Sequence, residues 1–119
     1  MQLAYLRVPP TEAQFRTARM VAASVARQAR LPIDLVEDVK LAVNEACALH
    51  RGALAPLELV FDLDDERLEV TVGPSAAPAV AEPESQMALT ILRAVVPDFE
   101  AGDNGLRLAW PVSDQSGGA

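Results

Sequence analysis

The apolar residues of this chain change period half-way along it, and few folds accommodate that change. Phe15, Ala18, Ala22, Val25 and Ala29 recur at steps of three and four, as do Leu35, Val39, Ala42, Ala46 and Leu49. Both sets draw the stripe of an amphipathic helix. From Leu57 to Asp62 and from Arg67 to Val72 apolar and polar residues alternate instead, the period of a half-buried strand. The chain therefore reads as two helices followed by a hairpin whose apolar face they can cover.

The punctuation agrees. Leu3–Val8 reads as a strand ended by Pro9-Pro10, and Thr11 with Gln14 three residues on predicts a capping box opening a helix to Arg30. Leu31-Pro32 breaks it, Pro32 suits the first turn of a second helix from Ile33 to His50, and Gly52 suits its terminator. An acidic turn, Leu63–Glu66, joins the hairpin strands, and the proline- and alanine-rich stretch Gly73–Glu84 predicts an irregular loop. A short helix from Ser85 to Val96, with Met87, Ile91 and Val95 on one side, leads to a last hairpin, Asp98–Ala101 and Leu106–Val112, turning at Asn104-Gly105. Ser113–Ala119 reads as a tail. The order β-α-α-β-β-α-β-β predicts an α+β two-layer sandwich, with a mixed, mostly antiparallel sheet covered on one face by helices.

With 119 residues the chain fits one domain, placed at 1–112. Half of it is hydrophobic and only 4% aromatic, so alanine, valine and leucine must build the core. A net charge of −7 argues against a general binder of nucleic acid or anionic membrane, which needs a surplus of cations. One cysteine excludes an internal disulfide, and one cysteine with one histidine excludes a zinc cluster. No apolar run approaches the roughly 20 residues that span a bilayer. The start, MQLAYLRVPP, shows no signal-peptide pattern, so a cytoplasmic location is expected.

The segment Asp38-Val-Lys-Leu-Ala-Val-Asn-Glu-Ala-Cys47 resembles the N-box helix of the GHKL (Bergerat-type) ATPase superfamily, and more narrowly the anti-sigma-factor serine kinases of the RsbW/SpoIIAB type. The element order supports the resemblance from about Leu3 to Val112. It implies that Glu45 occupies the position of the base that activates a substrate serine. It also implies that the asparagine binding magnesium, one helical turn on, is replaced by Leu49, which offers no oxygen. Two further boxes depart from the pattern. After Leu68–Val72 the chain continues Gly73-Pro-Ser-Ala-Ala-Pro78 without the aspartate that reads adenine. The glycine-rich opening of the last helix is Ser85-Gln-Met-Ala-Leu89 here. The resemblance thus implies a relative that keeps the fold, binds no cofactor and has lost the kinase, leaving Glu45 as a vestigial base. Phosphoryl transfer depends almost wholly on positioning and charge stabilisation, so a base without an oriented donor transfers nothing.

The first helix carries Arg16, Arg19, Arg27 and Arg30 against one acid, Glu12, which gives Thr11–Arg30 a charge of +3 and the rest of the chain −10. With Ala23 included, the steps of three, four, four and three put these arginines on one helical face. Such a face either complements acidic surface of the same protein or docks an acidic or mixed-charge partner through bidentate arginine bonds. In the resembled family the arginine matching Arg19 contacts both the sigma factor and the anti-anti-sigma partner. The expected function is therefore that of an anti-sigma factor without kinase activity. It would sequester an alternative, stress- or sporulation-type sigma factor and be released by a competing STAS-domain anti-anti-sigma protein. The family commonly dimerises, which leaves a homodimer open. The rival readings are an active ATP-dependent serine kinase, a small-ligand sensor reusing the emptied pocket, and a scaffold module.

Four other residues draw attention. Cys47 suits core packing. His50 ends a helix, where a cation is favourable, and is a pH-sensor candidate. Trp110 fits the core or a dimer contact. Asp64-Asp65-Glu66 reads as a solvated turn, lacking the spaced oxygens and glycine of a calcium loop.

Overall fold

The computed structural model describes residues 1–74 and 83–112, so the expected tail and most of the expected loop lie outside the described residues. Strand β1 (Gln2–Val8) is followed by helices α1 (Glu12–Gln28) and α2 (Ile33–Ala48). Strands β2 (Leu57–Leu63) and β3 (Arg67–Gly73) form the central hairpin. A 3-10 turn (Pro83–Ser85) opens α3 (Gln86–Val95), and β4 (Asp98–Gly102) and β5 (Gly105–Pro111) close the chain.

The five strands form one sheet in the order β1-β2-β3-β5-β4. Every pairing among the described strands is antiparallel, which corrects the expectation of a mixed sheet. The reason is local: β2–β3 and β4–β5 are tight hairpins, and α3 carries the chain to the far edge so that β5 returns into the gap beside β3. Register then stacks Leu6, Leu59, Val72 and Leu106 in one row and Phe61, Val70 and Leu108 in another. These rows face the helices and are buried together with Phe15, Ala18, Ala22 and Val25 of α1 and Val36, Val39, Ala42 and Val43 of α2. Helix α2 packs between α1 and α3. Trp110 is fully buried, and its indole Nε1 donates to the Val95 carbonyl at 3.1 Å, which settles it as core.

Three local expectations change. Thr11 is the N-cap of α1, but its side chain makes no cap hydrogen bond. The capping box is absent, and the Thr11 carbonyl receives Gln14 and Phe15 N–H instead. Both long helices end two residues earlier than expected, at Gln28 instead of Arg30 and at Ala48 instead of His50. Arg30 lies outside α1 with a left-handed φ of +62°, and Gly52 takes φ +83° after α2. In α3 the buried residues are Ala88, Leu89 and Leu92, whereas Met87 is 70% exposed. This helix is apolar on two overlapping sides, so its period cannot choose between them; contact with α2 does.

Candidate functional site

Helix α2 carries the residues singled out by its motif, and its packing assigns each a side. Ala42, Ala46, Cys47 and Leu49 point into the core; Leu49 is 4% exposed. Burial pushes the Cys47 thiol up to about 12, partly opposed by the Arg19 charge, so it stays a neutral, inert thiol. Glu45 is half-buried and accepts a hydrogen bond from Asn44 Nδ2 at 3.3 Å. Asn44 is the one asparagine of this helix, and it is committed elsewhere: its Oδ1 accepts from Arg19 Nη1 on α1 at 2.5 Å. Being five residues before position 49, it is rotated well away from that position and cannot stand in for it. A magnesium ion at this helix needs oxygen ligands in near-octahedral geometry. The buried Leu49 side chain and the engaged Asn44 amide do not fit one.

The arginines of α1 fall into three situations. Arg19 is half-buried and bridges to α2 through Asn44, fixing the register of the helical hairpin. Arg30 has left the helix, and Ala23, the spacer in the supposed stripe, is 5% exposed. The four arginines therefore do not share one continuous face. Arg16 and Arg27 do share one: with Ala13, Met20 and Ser24 they form an exposed outer ridge of α1 that contains no acid. Among the described residues no carboxylate comes within 4 Å of Arg16, Arg27 or Arg30. Glu12, the one acid of this helix, pairs with Arg51 at 2.5 Å, and the Arg51 guanidinium lies 5.8 Å over the Phe15 ring. Met20 on this ridge is 69% exposed, and Leu41 on α2 is 40% exposed.

The opposite surface, the outer face of the sheet, is charged and internally matched. Arg107 on β5 donates to Glu100 at 3.0 Å, Asp98 at 2.9 Å and Glu69 at 3.0 Å, which raise its pKa further. Arg67 adds a second cation to the same carboxylates, 3.0 Å from Asp98. In the β2–β3 turn Asp64 accepts from the backbone N–H of Glu66 at 2.7 Å and of Arg67 at 2.9 Å, which lowers its pKa. This is an Asx turn, with Oδ1 of Asp64 spent on the backbone. Among the described residues, one open cavity is lined by Met1, Asp62, Leu63, Asp64, Arg67 and Glu69, and another by Arg7, Val8, Pro9, Pro10, Leu54 and Pro56. Neither includes Glu45 or Leu49. No helix among the described residues is long and apolar enough to cross a membrane.

The sequence profile of one family, described as the histidine kinase-like ATPase domain, matches residues 8–115. That span takes in both long helices, the sheet from the end of β1 onward, and α3. No curated protein matches the chain.

Proposed function

The chain belongs to the histidine kinase-like ATPase domain family, and on that footing we propose that it acts as an anti-sigma factor without kinase activity. It binds an alternative sigma factor through the outer ridge of α1 and keeps it from core polymerase. A STAS-domain anti-anti-sigma protein releases it by competing for the same face, so the switch runs on mass action.

The observation that carries this reading is the ridge itself. Arg16, Met20 and Arg27 stand exposed, with no carboxylate of the described residues within 4 Å of the two guanidiniums, on a molecule whose net charge is −7. A folded acidic protein has many carboxylates available to neutralise its own cations, as it does around Arg107. Cations left clear beside an exposed methionine make the composition of a partner-binding surface, in which arginine and methionine are enriched. The loss of the kinase rests on a second point: Leu49 presents hydrocarbon where the resembled enzymes need a metal-binding oxygen, and phosphoryl transfer has little to offer without the metal and an oriented phosphate.

The test is recovery of the tagged protein from a lysate of its native host, with and without Mg-ATP, and identification of what stays bound. A sigma factor recovered equally in both conditions is the expected result. Recovery only with Mg-ATP, or phosphate transferred to a STAS protein, would restore the kinase reading. Absence of both partner classes would leave the family fold without this function.

A further inference from the structure

His50 is the chain's single histidine and is 3% exposed, just beyond the last turn of α2. Both of its ring nitrogens face backbone carbonyl oxygens. Nδ1 lies 2.8 Å from the Ala46 oxygen, and Nε2 lies 2.6 Å from the Pro74 oxygen. A carbonyl oxygen only accepts, and a neutral imidazole carries one N–H. A neutral ring therefore satisfies one of these contacts and sets a nitrogen lone pair against an oxygen lone pair in the other. Only the imidazolium, with two N–H groups, donates to both.

We propose that His50 is a proton-operated tie: the protonated ring fastens the end of α2 to Pro74, directly after β3, and deprotonation lets Pro74 go. The two contacts are not equivalent. Ala46 lies one turn back on the same helix, a bond that any ring with a proton on Nδ1 keeps. Pro74 is 24 residues away, so it is the long-range contact that the second proton decides.

The surroundings bear on the charge. The ring sits at the carbonyl end of α2, where the helix dipole favours a cation. On α1, Glu12 is paired with Arg51, Arg19 is spent on Asn44, and Arg16 is exposed. On α2 itself Glu45 is bonded to Asn44, and the Cys47 thiol is neutral. On α3 the one ionisable side chain is Arg93, which is exposed. On β3, Arg67 and Glu69 lie on the opposite face of the sheet, tied to Asp98 and Arg107. No carboxylate of the described residues lies within 4 Å of the ring, so the two carbonyl oxygens are the acceptors its N–H groups meet. By linkage, the tied form takes up a proton that the released form gives back, so the tie closes on the acid side and opens as pH rises.

The experiment uses the full chain labelled with 15N in histidine and backbone, whose ring signals need no assignment because there is one ring. Spectra recorded from about pH 5 to 8, the range in which imidazole changes charge, should show protons on both ring nitrogens at the acid end. Loss of the Nε2 proton should shift the Gly73 amide in the same step. A ring with one protonated nitrogen throughout, or a titration that leaves Gly73 unmoved, overturns the proposal. His50→Phe supplies an independent arm. The folding constant of the wild type relative to the variant should grow as pH falls, by up to about tenfold per pH unit where one proton is taken up. A ratio flat across that range overturns it equally.

Discussion

On the outer face of the sheet, Arg107 is gripped by three carboxylates from two other strands, and Arg67 shares two of them. On the outer ridge of α1, Arg16 and Arg27 are exposed, with no carboxylate of the described residues within 4 Å. Both surfaces carry the same cation on the same acidic chain, and they differ in whether the fold has matched it. A matched arginine does its work inside the molecule, holding strands in register. An unmatched one contributes little to the fold and keeps its donors for something else. The charge total alone hides this difference, because it lies in geometry: antiparallel register sets Glu69, Asp98, Glu100 and Arg107 side by side, whereas the exposed ridge of α1 meets no carboxylate among the described residues.

The contrast can be broken or sharpened by substitution, starting on the sheet. Gly105, where β5 begins against β3, has φ +123°, and a Cβ there would fall 2.3 Å from the Val72 carbonyl oxygen. Gly105→Ala should cost about 3 kcal/mol or more, read by chemical denaturation, because strain and collision add. A loss below about 1 kcal/mol would mean that the sheet side is not the rigid half. Arg107→Ala comes next: three exposed or half-exposed pairs at a few tenths to one kcal/mol each give a loss of about 1–2 kcal/mol, shrinking in high salt. The same substitution should leave sigma-factor binding untouched. Arg19→Ala belongs between the two surfaces. Losing its bond to Asn44 should cost about 1 kcal/mol, a Tm drop on the order of 3–5 °C, with some loss of partner affinity as the hairpin register loosens.

Much of this frame was legible in the sequence because the informative signals were periodic. The stripe Phe15, Ala18, Ala22, Val25 and Ala29 is buried as read. Val39, Ala42, Ala46 and Leu49 are buried too. The strand spans came out within a residue or two, since alternation leaves one register that buries Leu57, Leu59 and Phe61. The α3 side was misread because Met87, Ile91 and Val95 form as good a stripe as Ala88, Leu89 and Leu92, and only the packing partner chooses. The arginines needed the third dimension most. Spacing placed four of them on one face, but the Arg19–Asn44 bond spans 25 residues, the Glu12–Arg51 pair spans 39, and Arg30 leaves the helix at a backbone turn that no periodicity encodes. Glu45 sits on α2 and Leu49 at its C-cap, one turn on as the motif spacing suggested, whereas the commitment of Asn44 to α1 depends on hairpin register.

The central claim is that the unmatched arginines of α1 are the docking face. The direct measurement is the affinity of purified Arg16→Glu/Arg27→Glu protein for the sigma factor recovered with the wild type. Reversing two interface charges should weaken binding by about 100-fold or more, since like-charge juxtaposition costs several kcal/mol. Stability should move by less than about 0.5 kcal/mol, as for exposed sites without partners. Binding within about threefold of wild type would contradict the account and return the ridge to an ordinary solvated surface.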